Sequence, residues 1–219
     1  MQDTMASEKR VSYTAQNTYS TLNEFGRNTK NVWLVFHGMG HLSRYFIRHF
    51  KELNPEENFI IAPQAPSKYY QGPDFKHVGS SWLTREDTIE ETKNVLTYVD
   101  GVWDAEKPAT TPRFIVLGYS QGVSIATRWL SSRKIQCDGL VLHSGGIPNE
   151  LKASDFEYLP KTTKVSLLYG TEDPYITETR RNEEKLKGEH LFGNRLEMTA
   201  FKGAHEVYFP FLYEFSLYN

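Results

Sequence analysis

One serine in this sequence has the surroundings of a nucleophile. Ser120 lies in Gly118-Tyr119-Ser120-Gln121-Gly122, directly after an apolar run and before a segment with helical spacing. Glycines two positions to either side of a serine leave room for neighbouring backbone when the chain turns tightly from a strand into a helix. Because a serine hydroxyl stays protonated at neutral pH, it needs a base within hydrogen-bond reach and a third group that orients the base. The pattern therefore predicts acyl transfer through Ser120, provided that the chain supplies both partners.

The base is predicted to be His205. It follows the last apolar run, in the turn Gly203-Ala204-His205, and comes after both the serine and the candidate acid in the chain. His143 also lies at the end of an apolar run, where we interpret it as a structural histidine. The remaining histidines outside glycine-rich segments have polar or helical surroundings typical of the surface; they are His49, His77 and His190.

The orienting acid is predicted to be Asp173. It lies in Gly170-Thr171-Glu172-Asp173-Pro174, directly after the apolar run 165–169, and the proline stiffens the turn. Glu172 could perform the same chemistry, and Asp155 is a weaker alternative. The Gly-x-x-Asp-Pro arrangement favours Asp173.

A tetrahedral intermediate also needs hydrogen-bond donors for its oxyanion. In this type of turn the expected donors are two backbone N–H groups, one from Gln121 and one from Met39, which lies between two glycines after the run 32–36.

His37 and His41 are four residues apart, as in a zinc motif. That motif requires a helix and an adjacent glutamate, whereas Gly38 and Gly40 oppose a helix and no glutamate is present. We expect neither a metal nor a cofactor.

The elements that must position these residues are strands alternating with helices. Arg10–Gln16 and Tyr19–Leu22 are predicted as a leading pair of strands, and six apolar runs as buried strands: 32–36, 59–62, 114–117, 140–142, 165–169 and 196–201. Helical spacing covers residues 42–53, a segment capped by Thr84 with Asp87 in a capping box, and the residues after Ser120. This alternation predicts an α/β fold, a mostly parallel sheet with helices on both faces, and a single domain over residues 1–219 without a separate cap domain.

Composition excludes several classes of protein. The 219 residues are 39% hydrophobic and 24% charged with a net charge of −2, which is typical of a globular domain and gives no basic stripe for nucleic acid. No apolar run approaches the length of a membrane span, and the first residues contain no signal-peptide core. The single cysteine, Cys137, begins an apolar run and is interpreted as a core or edge thiol. A cytoplasmic protein is the expectation.

The longest segment between predicted strands, residues 63–82, is rich in aromatic residues. Such side chains either line a substrate pocket or form a small local core. The aromatic residues of this segment are Tyr69, Tyr70, Phe75 and Trp82, and we predict that some of them line the acyl or alcohol pocket together with Met39, Tyr119 and Tyr175.

Over nearly its whole length the sequence resembles the α/β-hydrolase superfamily, and more closely its small carboxylesterase/phospholipase branch, which includes acyl-protein thioesterases. The motifs that carry the resemblance are 37–40, 62–66, 81–82, 118–122, 170–173 and 203–205. The resemblance implies a serine hydrolase acting on a small-molecule carboxylic ester. An acyl thioester or a lysophospholipid is an alternative substrate, and a non-catalytic binder of a small molecule or protein is an alternative of another class.

Overall fold

The computed structural model describes residues 6–109 and 112–218. Its strands are β1 (Tyr19–Leu22), β2 (Asn31–Phe36), β3 (Asn58–Pro63), β4 (Ser67–Gln71), β5 (His77–Ser81), β6 (Arg113–Tyr119), β7 (Gly139–His143), β8 (Lys164–Gly170) and β9 (Leu196–Phe201). Its α-helices are α1 (Ser43–Phe46), α2 (Thr88–Glu106), α3 (Gln121–Arg133), α4 (Glu178–Phe192) and α5 (Phe209–Leu217). Short 3-10 helices cover Ile47–Phe50, Ala153–Asp155 and Gly193–Arg195.

Seven strands form one sheet in the order β1-β3-β2-β6-β7-β8-β9. Only β1 runs antiparallel to its neighbour, so the predicted mostly parallel sheet is confirmed. Strands β2, β6, β7, β8 and β9 therefore all end at the same edge of the sheet. Residues that directly follow these strands are brought together there.

Helices cover both faces of the sheet, as predicted, because the strands are apolar on both sides. Along β2, Val32, Leu34 and Phe36 pack into one hydrophobic cluster with residues of α2, α3 and α4. The intervening Trp33 and Val35 pack into a second cluster with residues of α1 and α5. Burial of every residue of β2 explains why this strand is a continuous apolar run rather than an alternating one.

The segment between β3 and α2 contains a hairpin that was not predicted. Strands β4 and β5 pair antiparallel, from Ser67 with Ser81 to Gln71 with His77, outside the main sheet. All five residues of β4 are exposed, so the segment lacks the half-buried alternation by which a strand is recognised in a sequence.

Two predicted elements are wrong in detail. Residues 10–16 form no strand, since they are fully exposed and have no neighbouring strand to bond. Helix α2, which was predicted to begin after Thr84, begins at Thr88 instead, and no capping box forms at its start. The Thr84 hydroxyl instead accepts a hydrogen bond from the Glu86 N–H, and the Asp87 carboxylate pairs with Arg10.

The helix after Ser120 is confirmed, with Val123, Ala126, Thr127 and Leu130 buried. Residues 42–53 bury Phe46, Phe50 and Leu53 as predicted, although the α-helix there tightens into a 3-10 helix after one turn.

Within the described part of the chain, no helix combines the length and the apolar composition that crossing a bilayer requires.

Candidate active site

The turn between β6 and α3 holds Ser120 in a strained backbone conformation. Its φ of 53° and ψ of −118° lie outside the regions that L-amino acids normally adopt. A Cβ placed on Gly118 would lie 2.4 Å from the Val123 Cα, and one placed on Gly122 would lie 2.1 Å from the Phe36 carbonyl oxygen. Both glycines are therefore required by close backbone packing, which explains their spacing around the serine.

The structure brings the three predicted residues together in one hydrogen-bonded row. The His205 Nε2 lies 2.9 Å from the Ser120 Oγ, and its Nδ1 lies 2.6 Å from the Asp173 Oδ2. The other carboxylate oxygen of Asp173 accepts a hydrogen bond from the Tyr175 N–H at 2.8 Å. With Nδ1 donating to the carboxylate, Nε2 is free to accept the serine proton.

The alternative acids do not reach the histidine. Glu172 is exposed, whereas the Asp173 side chain is completely buried. The Asp155 carboxylate accepts a hydrogen bond from the Lys152 N–H in a short helix elsewhere. Among the three carboxylates considered, only Asp173 contacts His205.

Two tyrosines hold the His205 ring. The Tyr119 ring lies beneath it, with the centroids 5.3 Å apart, and the Tyr119 hydroxyl donates to the His205 carbonyl at 2.8 Å. The Tyr175 ring meets the His205 ring edge-on, with the centroids 4.9 Å apart, and is largely exposed. Burial raises the pKa of Tyr119, which therefore stays a neutral hydrogen-bond donor.

The loop after β2 approaches Ser120 closely. A Cβ on Gly38 would lie 3.1 Å from the Ser120 Cβ, so any larger residue at this point would crowd the nucleophile. Within the described residues, neither the Met39 N–H nor the Gln121 N–H donates to a protein acceptor. Gln121 begins α3, where the first N–H groups have no partner within the helix. Both predicted oxyanion donors thus have N–H groups that no described protein acceptor occupies.

The predicted pocket residues separate into two groups. Tyr69, Tyr70, Phe75 and Tyr175 are exposed, as is Met39. Trp82 has no exposed surface, and its Nε1 donates to the His37 carbonyl at 2.8 Å, so the prediction that it lines the pocket is wrong. Tyr119 is also buried and supports His205 from below rather than facing a substrate. Both are large aromatic side chains, whose burial in the core under the strand ends removes a large apolar area from water.

Two buried histidines near the site, His143 and His37, are neutral and have hydrogen-bond partners at both ring nitrogens. His143 is completely buried, where desolvation lowers its pKa to about 3, and its Nε2 accepts from the Tyr208 N–H. His37 is also buried, and desolvation lowers its pKa to about 4. Neither ring has a nitrogen left for a metal ion, and the described residues contain no group of three His, Cys, Asp or Glu side chains placed to bind one. Cys137 is buried away from the site, which raises the pKa of its thiol to about 12.

One positioning residue was missed by sequence reasoning. The Gln121 side chain accepts from the Trp82 N–H at 2.9 Å and donates to the Leu83 carbonyl at 2.7 Å, so it ties the start of α3 to the end of the hairpin. Gln121 was selected for its backbone N–H alone. A polar side chain directly after the nucleophile, at a helix terminus, is the signal that indicates this second role.

Comparison with known proteins agrees with this arrangement. Residues 17–214 match the model of the family described as phospholipase/carboxylesterase. No curated protein sequence matches the chain. Similar solved structures include the acyl-protein thioesterase 2 of Zea mays (16% identity, TM-score 0.65, covering 92% of this chain and 96% of that one). The esterase PE8 shares the fold as well, with 17% identity and a TM-score of 0.67 over 92% of this chain and 98% of that one. The Bacillus cereus carboxylesterase has 17% identity and a TM-score of 0.62 over 92% of each chain.

At these sequence identities the solved structures show only that the fold is shared. The family model matches residues 17–214, which are most of the chain, and therefore shows the family. The observed sheet order and the placement of Ser120 on a strained turn after β6 are consistent with that match. The chain belongs to the phospholipase/carboxylesterase family of α/β-hydrolases, and is thus a hydrolase of the esterase or phospholipase kind.

Proposed function

We propose that the protein hydrolyses carboxylic esters of small or medium acyl chains through an acyl-enzyme formed on Ser120. The observation that carries this proposal is the hydrogen-bonded row of Ser120, His205 and Asp173 on a strained strand-to-helix turn. These groups supply a nucleophile, a base and an orienting acid, the three roles that acyl transfer through serine requires.

In the first half of the reaction, the Ser120 Oγ attacks the ester carbonyl carbon while His205 Nε2 takes the serine proton. The ester oxygen becomes an oxyanion, which the N–H groups of Met39 and Gln121 stabilise. Buried Asp173 stabilises the positive charge that forms on His205. Collapse of the tetrahedral intermediate breaks the bond to the alcohol oxygen, which receives the proton from Nε2, and the acyl group remains on Ser120.

In the second half, a water molecule takes the place of the alcohol. His205 Nε2 removes one of its protons as the water oxygen attacks the acyl carbon, and the same two N–H groups stabilise the second oxyanion. The proton returns to Ser120 Oγ as the acid leaves. His205 can exchange these protons through Nε2, which faces Ser120, because its Nδ1 remains bonded to Asp173 throughout.

The direct test is Ser120→Ala, assayed on a short p-nitrophenyl ester. We expect kcat/KM to fall by at least about 10⁴-fold, because the nucleophile is removed. Ser132→Ala is the matched control, since Ser132 is exposed near the far end of the same helix. Folding of both variants is checked by circular dichroism. Activity of folded Ser120→Ala at the wild-type rate would refute the proposal.

Two further measurements separate the alternatives left by the sequence. Comparison of kcat/KM on an ester, an acyl thioester and a lysophospholipid identifies the preferred leaving group, with the ester expected to be the best substrate. A fluorophosphonate probe is expected to label wild-type protein at Ser120. Absence of labelling and of activity on all three substrates would instead indicate a non-catalytic binder.

A further inference from the structure

His37 is a buried titratable residue beside the site that the reaction as proposed does not use. Its ring has no exposed surface and packs against Trp82, with the centroids 5.0 Å apart. The Nδ1 lies 2.8 Å from the Gly38 carbonyl oxygen, and the Nε2 accepts a hydrogen bond from the Ala65 N–H at 3.1 Å. Both nitrogens therefore have partners.

These two partners fix the tautomer of His37. A carbonyl oxygen only accepts, so the proton must lie on Nδ1, and Nε2 must be unprotonated to accept from Ala65. Burial disfavours the charged imidazolium, which keeps the ring neutral around pH 7. His37 is thus a fixed donor aimed at one peptide group of the loop after β2.

That peptide group is the one that carries the Met39 N–H. Because a trans peptide is planar, the Gly38 carbonyl and the Met39 N–H point in opposite directions, and holding the oxygen also aims the hydrogen. The His41 N–H bonds the same Gly38 oxygen at 3.3 Å, on the longer side for such a bond. The imidazole therefore supplies the shorter of the two contacts that set this peptide.

The loop needs such a contact because glycines flank Met39. Gly40 has a φ of 85°, and glycine allows peptide orientations that other residues do not. The hairpin fixes the two following peptides: the Gly40 N–H donates to the Ser80 carbonyl, and the Gln71 side chain donates to the Gly40 carbonyl. Among the described residues, no hydrogen bond joins the hairpin to the Gly38–Met39 peptide itself.

We propose that His37 is a positioning residue for the reaction, which aims the Met39 N–H at the substrate oxyanion through its Nδ1 hydrogen bond to the Gly38 carbonyl. This inference rests on the proposed ester hydrolysis through Ser120. It assigns His37 an indirect role, since the side chain is buried and does not touch substrate.

Two amide variants distinguish aiming of the peptide from general support of the fold. Asn places its NH₂ near the position of Nδ1 and keeps the donor to Gly38, whereas Gln reaches the position of Nε2 and keeps the contact with Ala65. We expect His37→Gln to lower kcat on a p-nitrophenyl ester by about 10²-fold, as loss of one oxyanion donor does, with KM within about threefold of wild type. His37→Asn should retain at least about one fifth of the wild-type kcat, because the donor is preserved.

Three further measurements make the result specific. The labelling rate of the fluorophosphonate probe should fall in parallel with kcat in His37→Gln, because the probe develops charge on the same oxygen. The midpoint of the pH–rate profile should stay unchanged, because the row of Ser120, His205 and Asp173 is not altered. His190→Gln, at an exposed histidine near the end of α4, is the control for the substitution itself.

The inference is overturned if the two amide variants lose kcat equally, if His37→Gln keeps the wild-type kcat, or if KM rises in place of the fall in kcat. ¹⁵N NMR of the imidazole provides a test that does not depend on turnover, because protonated Nδ1 and unprotonated Nε2 have different shifts. A proton found on His37 Nε2 would also overturn the inference. Failure of the proposed function looks different, since wild-type protein would then neither turn over ester nor label at Ser120.

Discussion

Replacement of Asp173 by Asn tests the assignment of the acid most sharply, because the structure predicts how the amide will orient. In the native site, Asp173 Oδ1 accepts from the Tyr175 N–H at 2.8 Å and Oδ2 accepts from His205 Nδ1 at 2.6 Å. An asparagine must place its oxygen on one side and its NH₂ on the other. If the NH₂ faced Tyr175, two donors would oppose each other in a buried position, at a cost of about 1–3 kcal/mol.

The amide oxygen is therefore expected to face Tyr175 and the NH₂ to face His205. Nδ1 then has to accept, which moves the imidazole proton to Nε2, the nitrogen that must be free to take the proton of Ser120. The variant also lacks the negative charge that stabilises the imidazolium. Together these effects predict a fall in kcat of about 10⁴-fold, which corresponds to about 5.5 kcal/mol of transition-state stabilisation.

The assay is hydrolysis of a short p-nitrophenyl ester at several pH values, with folding checked by thermal unfolding. Glu172→Gln is the matched control: it makes the same change from acid to amide at the neighbouring exposed residue and should leave kcat within about twofold. Retention by Asp173→Asn of more than one tenth of the wild-type kcat would refute the tautomer argument. A large loss in Glu172→Gln would move the role of the acid to the neighbouring residue.

Three other outcomes follow from the packing of the site. Gly122→Ala should lower the free energy of unfolding by about 3 kcal/mol, seen as a lower Tm, because its Cβ would lie 2.1 Å from a backbone carbonyl oxygen. The control is Gly101→Ala inside α2, which should leave Tm unchanged or raise it because no atom lies within 4 Å of the new Cβ. Tyr119→Phe removes the hydrogen bond to the His205 carbonyl and should cost about 1 kcal/mol of stability in urea unfolding, with a several-fold fall in kcat. Because the pKa of buried His143 is lowered to about 3, the unfolded state binds more protons below about pH 6.5, so the free energy of unfolding should fall as the pH falls from there. His143→Gln should reduce the loss between pH 6.5 and pH 5 by about 1.6 kcal/mol. An equal loss in both proteins would contradict this.

Most of the sheet could be predicted from the sequence because its central strands are buried on both faces and form apolar runs. The edge strand β9 was predicted as buried, but only Phe201 at its end is buried. All six predicted internal strands lie within β2, β3, β6, β7, β8 and β9, and the residues that follow them gather at one edge. Asp173 and His205, which lie more than thirty residues apart in the chain, were selected because each follows a strand, together with their order in the chain and the Gly-x-x-Asp-Pro turn. Strand ends are thus sufficient to bring together residues that no local pattern connects.

Elements with one exposed face or no partner were harder to predict. Residues 10–16 alternate in hydrophobicity, but a strand also needs a neighbour to bond, and a pattern within one segment does not reveal whether that neighbour exists. The reverse holds for the hairpin, whose first strand is exposed throughout and is stabilised by pairing with β5. In both cases the deciding interaction lies outside the segment.

The same reasoning explains why the roles of Trp82 and His37 were not visible in the sequence. Trp82 was assigned to a pocket as an aromatic side chain in a loop, and His37 was considered for a metal because it lies four residues from His41. In the structure both act on the backbone of the loop that carries Met39, since Trp82 donates to the His37 carbonyl and His37 donates to the Gly38 carbonyl. Backbone carbonyls are present at every residue, so a sequence cannot indicate which of them a buried donor will reach. A site that uses backbone N–H groups therefore depends on side chains whose function becomes apparent only once the peptide orientations are known.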